Sequence, residues 1–282
     1  MKLAHLILAH SKPEMLERLV KRLHHDDSDI YIQLDKKANI ADFQHIANIG
    51  NVWFVDNRVK TEWGDYSIIK STLIGFEYIL NTGIDYCHIN LLSGQDYPLQ
   101  PISAIHEFFF ANTDKTFMRS LSIADNEWED GKLRFESYSF GDYSFPGRYQ
   151  LQGIANRLLP KRKIPGKIKP YGRSQWLTIT PECARYAIEY VERNPRMKRF
   201  FRMTWAVDEI FFQTILENSP LNDKIVHDNL RYIEASGPAR PTIFTMAHAD
   251  LLVSSGKFFA RKFDSAINDE IFDFLDNVIQ YS

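Results

Sequence analysis

Apolar and polar positions follow two alternating periods through the first part of the chain. Residues 3–8 form a short apolar run, which suits a buried strand. Residues 9–13 then turn, and Pro13 starts a helical pattern through Leu16, Leu19, Val20 and Leu23. Residues 30–34, 52–55 and 86–92 read as further strands, with a helix over 68–80 and another after Pro101. This alternation predicts an α/β fold whose mostly parallel central sheet is flanked by helices. In such sheets ligands gather at the carboxyl ends of the strands. The polar residues there are His10, Asp35 and Lys36, the turn 63–67, and the loop 93–96.

Beyond residue 112 the pattern weakens. Residues 132–139 alternate as a strand would. Residues 156–173 are basic and broken by Pro160, Pro165 and Pro170. Two readings of that stretch stand: a solvated mobile loop, or a patch for an anionic acceptor or a peripheral membrane contact. A strand is expected over 175–179, helices over 181–193 and 207–216, short strands at 230–233 and 242–244, and a closing amphipathic helix over 267–279. No linker divides the chain, so one domain over 1–282 is expected.

Composition removes several function classes. A formal net charge of −2 gives no global pull toward nucleic acid. Only two cysteines occur, Cys87 and Cys183, both among apolar residues, so no disulfide framework is expected and a reducing compartment fits. The N-terminal apolar run is interrupted by His5 and is too short for a secretory core, and no stretch is long enough to span a bilayer. The expectation is a soluble cytoplasmic protein. The glycine fingerprints of dinucleotide and P-loop sites are absent, as is a nucleophile elbow. The nine histidines fall into no zinc spacing.

Near the C-terminus, residues 254–264 place Arg261 and Lys262 among Phe258, Phe259 and Phe263. Cations in an apolar strand reach solvent or face an anion, because burying them unpaired is costly. Either a solvated strand end or a diphosphate site satisfies that condition. A guanidinium fork beside an ammonium suits the second.

Three stretches carry a resemblance to a known family: Trp63-Gly64-Asp65-Tyr66-Ser67; Leu91-Leu92-Ser93-Gly94-Gln95-Asp96-Tyr97-Pro98-Leu99; and Asp208-Glu209-Ile210-Phe211-Phe212-Gln213-Thr214 with the segments 217–220, 228–232 and 258–264. In this order they resemble the core-2/I-branching β-1,6-N-acetylglucosaminyltransferases, a family that includes the peptide O-xylosyltransferases. The resemblance covers nearly the whole chain, and its C-terminal half is most similar to the xylosyltransferase branch. It implies a GT-A-type fold, a UDP-sugar donor (UDP-N-acetylglucosamine or UDP-xylose), inversion at the anomeric centre and no metal or other cofactor. It implies a nucleotide-binding part at about 1–110 and an acceptor and catalytic part at about 111–282. Glu209 matches the catalytic base, with Asp208 as local support, although an acid at a helix start also serves as a cap. Arg261 and Lys262 match the diphosphate-binding cations, with Arg240 as a further candidate. Asp35 matches the position near uridine, and His10 has two readings, as a lining of the nucleotide pocket or as a simple strand end. Trp63 and Asp96 match the donor-sugar side, where Trp63 also reads as a core tryptophan. Gln175 and Trp176 match the acceptor segment, with Arg173 as an insertion or shift. The acceptor is a glycan, lipid-linked or protein hydroxyl. With no membrane anchor in view, the expected place is the cytoplasm, with a peripheral position at the inner face of a bacterial membrane as the further reading.

Two other classes stay open at this point. A non-catalytic carbohydrate- or nucleotide-sugar-binding module would use the same fold. A metal-dependent transferase would use Asp96, or Asp27 and Asp29, as ligands.

Overall fold

A computed structural model describes residues 1–234 and 241–280. Its elements begin with β1 (Lys2–Ala9), α1 (Pro13–Leu23), β2 (Ser28–Leu34), β3 (Val52–Phe54), α2 (Tyr66–Leu80), β4 (Tyr86–Ser93), β5 (Tyr97–Pro98) and α3 (Ile102–Phe110). The middle of the chain forms β6 (Thr116–Ser122), α4 (Glu129–Glu136), α5 (Arg148–Leu158), β7 (Tyr171–Ile179), α6 (Pro181–Arg193) and α7 (Pro195–Arg202). The last part forms α8 (Phe211–Glu217), β8 (Ile225–Val226), β9 (Arg231–Ile233), α9 (Ala249–Ser254), β10 (Phe259–Arg261) and α10 (Glu270–Gln280). These make two compact units. The first holds Met1–Asp56, Ile84–Thr113 and Leu230–Ser282; the second holds Asn57–Gly83 and Asp114–Asn229.

In the first unit the strand order is β3-β2-β1-β4, and every pair is parallel. Strands covered on both faces need unbroken apolar runs. β2 is buried throughout, and Leu3, Ala4, Leu6 and Ile7 of β1 are inaccessible. α1 covers the sheet with Met15, Leu16, Leu19, Val20 and Leu23, a stripe at helical spacing. On its other side Arg18 binds Asp273 and Asp276 of α10 at 2.5 and 2.8 Å, and Tyr97 donates to Asp276 at 2.7 Å. A second small sheet runs β5-β10-β9, with β10 antiparallel to β5 and parallel to β9. Arg231 at the start of β9 donates to Asn90 and, at 3.0 Å, to the carbonyl of Leu91. That buried tie fixes where β10 ends relative to β4.

The second unit pairs β7 antiparallel to β6, and β6 parallel to β8. Phe76 of α2 meets Phe212 of α8 at 5.6 Å, and Tyr66 meets Phe211 at 6.2 Å.

The α/β class and the early strands and helices follow the sequence reading. Several local expectations do not. Residues 132–139 were expected as a strand, yet residues up to Glu136 lie in α4, which leaves Leu133 exposed. The basic stretch is partly helical, since α5 runs to Leu158. It is also anchored: Arg162 is buried and donates to the carbonyls of Phe200, Met203 and Ser137. Burial pushes the Arg162 guanidinium down to about 10. The expected helix over 207–216 divides into a 3-10 turn, Val207–Glu209, and α8. Residues 242–244 form no strand; Phe244 instead donates to the carbonyl of Lys262 at 2.9 Å. α10 starts at Glu270 rather than 267, because Asp264 caps the preceding turn through the Ala266 N–H. Cys87 and Cys183 are free and buried.

Candidate functional site

The first unit gathers polar residues where its parallel strands end. His10 follows β1 and Asp35 follows β2. Asp35 donates its N–H to the carbonyl of Ala9 at 2.8 Å, and its carboxylate accepts from the Lys37 N–H at 2.7 Å. The loop after β4 is built by Asp96, whose two oxygens accept from the Ser93 N–H and hydroxyl at 3.0 and 2.7 Å. Asp96 is 2% exposed. The same loop is stitched to the segment after β10, because Phe263 donates to the carbonyl of Gln95 at 3.0 Å. This brings Arg261 to Asp96, with Nε 3.4 Å from the carboxylate. Asp96 is therefore an internal partner of Arg261 rather than an exposed contact.

Around His10 the field is mixed and locally basic. The imidazole is held below its ordinary pKa, first by desolvation; Asp35 opposes this, and Lys262, Lys37 and Lys12 reinforce it. Lys12 also forms an ion pair with Asp264, and that hydrogen bond holds the Asp264 carboxyl below the usual carboxylate range. Of the expected residues, the first unit thus brings together His10, Asp35, Asp96, Arg261 and Lys262. Lys12 and Lys37 join them. Lys12 had no distinguishing signal in the sequence, since its partner lies 252 residues away. Arg240 lies outside the described residues. Asp29 is buried and occupied, accepting from Lys2 at 2.8 Å and from Tyr86 at 2.6 Å.

In the second unit, Glu209 ends the 3-10 turn. Its carboxylate forms an ion pair with Arg134 of α4. The Arg134 guanidinium also lies 4.8 Å from the centre of the Trp128 ring, so its position is fixed from two sides. Gly172 is required close by: a Cβ there would come within 2.6 Å of the Glu209 carbonyl and 2.5 Å of Trp128. Beyond Gly172, β7 bulges. Between the pairs Met118–Leu177 and Ser120–Arg173, residues 174–176 stand against Arg119 alone. Gln213 and Asn229 fasten the bulge through the Ser174 carbonyl at 2.6 Å and hydroxyl at 3.0 Å. Trp176 is buried in this arrangement and Gln175 is half-buried.

A cleft of about 670 Å³ opens beside Arg134, with Trp63, Asp65, Tyr138, Tyr149 and Trp205 among its walls. Trp63 is 68% exposed, which removes the core reading. Its ring meets Trp205 edge-on at 5.1 Å. Gly64 makes that corner, with φ +75° and no room for a Cβ against the Trp205 ring at 2.8 Å. The walls mix aromatic faces with both signs of charge. Such a surface suits a neutral polyhydroxylated ligand, whose apolar ring faces stack while its hydroxyls find polar partners.

Asp65 carries the clearest electrostatic signature of the cleft. Burial, then the negative Asp142 and Glu62, push its carboxyl up to about 6 against the opposing Arg148. A raised folded pKa means that the charged form is disfavoured in the fold. The penalty is absent below the unfolded value near about 4 and complete above about 6. Asp65→Asn is therefore expected to stabilise the protein by on the order of 2 kcal/mol near about pH 8 and by nothing near about pH 4. Urea melts at the two pH values measure this. An equal difference at both would assign the effect to packing instead.

Comparison with known proteins agrees with the resemblance noted in the sequence. A family model described as Core-2/I-Branching enzyme matches residues 3–251. Xylosyltransferase 2 of Rattus norvegicus is 28% identical over 98% of this chain and 33% of that protein. Xylosyltransferase 1 of Canis lupus familiaris is 28% identical over 98% of this chain and 30% of that protein. The chain thus spans about a third of the length of these relatives. Among solved structures, mouse xyloside xylosyltransferase 1 in its apo form is similar over 76% of this chain and 81% of that chain, with 9% identity and a TM-score of 0.38.

Proposed function

The chain belongs to the Core-2/I-branching enzyme family, and on that footing we propose that it is an inverting GT-A-type glycosyltransferase acting without metal. It moves a sugar from a UDP-sugar to a hydroxyl acceptor. The observation that carries this reading is the set of cations at the strand ends of the first unit, where the charges of Lys262, Lys37 and Lys12 all act on His10 and Arg261 stands 3.4 Å from Asp96.

Departure of UDP leaves negative charge on the diphosphate. Fixed cations at that point stabilise the transition state with little reorganisation. Arg261 and Lys262 take this role, with Arg240 as their further member. Asp96 acts through Arg261 as a positioning residue, since both its oxygens already accept from Ser93. That internal use of its oxygens favours charge compensation by cations over a metal held by acids. Asp35 and His10 line the nucleotide side. In the second unit Glu209 accepts the proton of the attacking hydroxyl, and Arg134 fixes its carboxylate. Trp63 receives the donor sugar, the remaining walls of its cleft take the acceptor, and Gln175 supports the acceptor side. Trp176, being buried, supports this segment from below. The names of the relatives and the C-terminal resemblance both favour xylose over N-acetylglucosamine as the transferred sugar.

The test is a thermal melt with UDP, UDP-xylose and UDP-N-acetylglucosamine in excess chelator, followed by assay of UDP release. A ligand at about 100 times its Kd adds about 2.7 kcal/mol to the native state. UDP is expected to raise the Tm in chelator, and UDP-xylose to release UDP faster than its competitor. Stabilisation that needs added manganese would return the site to acidic residues. The absence of any response in either condition would overturn the enzyme.

A further inference from the structure

α5 is held the wrong way round for an ordinary surface helix. Among its residues only Ala155 is buried. Its inner side is fastened by polar groups instead. Gln152 accepts from the Phe140 N–H at 2.8 Å, and Asn156 both accepts from the Tyr138 N–H at 2.7 Å and donates to the Tyr138 carbonyl at 2.9 Å. The helix is thus docked through its amides, and its large apolar side chains are left outside. Leu151, Ile154 and Leu158 recur at helical spacing and are 48%, 53% and 74% exposed; Leu159 adds 52%. Three leucines and an isoleucine exposed on one short segment, three of them at helical spacing, are the concentration of apolar surface that marks an interaction site.

Charge says what covers it. Between Tyr143 and Pro181 the sequence has no Asp or Glu and eight Lys or Arg, in a chain whose net charge is −2. Arg157, Lys161, Lys163, Lys167 and Lys169 are exposed. Lys161 meets Glu136 at 2.7 Å. Arg162 does not contribute to this surface, because it is buried and pins the segment after α5. A fixed apolar helix side followed by a pinned run of cations is the composition of an interfacial anchor, with side chains for the acyl boundary and lysines for the headgroups.

We propose that α5 and residues 159–169 form a docking surface for an anionic lipid bilayer. Leu151, Ile154, Leu158 and Leu159 enter the headgroup boundary, and Arg157, Lys163, Lys167 and Lys169 lie over anionic headgroups. No helix among the described residues is long and apolar enough to cross a membrane, so this mode of attachment lies on the surface. It does not depend on the sugar-transfer reading.

Co-sedimentation of the full chain with vesicles of phosphatidylcholine alone and of phosphatidylcholine with phosphatidylglycerol tests it. The protein is expected to sediment with the anionic vesicles at low salt and to be released at high salt. Each surface cation contributes about a fivefold factor in partitioning, so Lys163→Ala, Lys167→Ala and Lys169→Ala together lower binding roughly a hundredfold. Leu151→Ser with Leu158→Ser, at exposed positions that spare the fold, is expected to lower binding to both kinds of vesicle. Equal binding to neutral and anionic vesicles, or no loss in either variant, would overturn the proposal. So would a dimer, formed without lipid, that Leu151→Ser with Leu158→Ser dissolves, since the apolar side would then serve a second copy of this chain.

Discussion

Exchange of Glu209 for Gln is expected to lower the rate of sugar transfer by about 10²–10⁴-fold, the usual contribution of a positioned general base. UDP is expected to stabilise the variant as well as it stabilises the parent. Gln keeps the shape of the side chain and one acceptor oxygen for Arg134, and loses the negative charge together with the capacity to take a proton. The Arg134–Glu209 pair is partly exposed. Its loss as an ion pair therefore costs about 1 kcal/mol or less, too little to unfold the unit. The pair of readouts separates causes: a slow enzyme that still answers to UDP has lost its chemistry, whereas one that no longer answers has lost its structure. Parental turnover by the variant at saturating acceptor would remove Glu209 from the mechanism.

The second large effect concerns Arg261 and Lys262, and the two should part company. A charge-assisted hydrogen bond to an anion is worth about 1.5–3 kcal/mol, so each cation lost weakens UDP binding roughly ten- to a hundredfold. Lys262→Ala is expected to show this loss with little change in Tm. Arg261→Ala removes in addition the cation beside the buried Asp96 carboxylate. Breaking such a pair is costly, here about 3 kcal/mol, the lower end of the usual range, because Ser93 still donates to both oxygens. Adding Asp96→Asn to Arg261→Ala is expected to restore part of the stability and none of the affinity, a double-mutant cycle that isolates the pair. Isothermal titration with UDP and thermal melts read the two quantities separately. Unchanged UDP affinity in both single variants would sink the diphosphate assignment.

The parts of the fold that could be read in advance were those where local pattern and burial agree. β1, β2 and β4 are buried almost throughout, so their runs are mostly apolar, broken by buried polar residues such as His5, Gln33 and Asn90, and α1 shows its stripe because one side meets the sheet. α4 and α5 break that agreement. Residues 132–136 alternate with period two while forming a helix that leaves Leu133 outside. In α5 the apolar stripe faces away from the unit, and Gly153 sits mid-helix, so neither burial nor propensity marks it. At the candidate site, residues fixed by short loops after strands were legible: His10, Asp35 and Asp96. Their partners were not. Arg134 meets Glu209 across 75 residues, and Arg261 meets Asp96 across the whole segment Asp114–Asn229 of the second unit, and nothing local encodes such pairings.

The first unit is written in three pieces, the last of which begins at Leu230, whereas the second is complete by Asn229. During synthesis from the N-terminus, every residue of the second unit, Glu209 and the cleft included, emerges before β9, β10 and α10 exist. The long-range closure of the first unit waits for the last of its three pieces, because its β5-β10-β9 sheet and the Arg231 tie need it. A nascent chain therefore makes its proposed base first and the proposed diphosphate cations at the end of β10 last. Premature termination anywhere before Arg261 is accordingly expected to leave a product without Arg261 and Lys262, the cations proposed to hold the diphosphate.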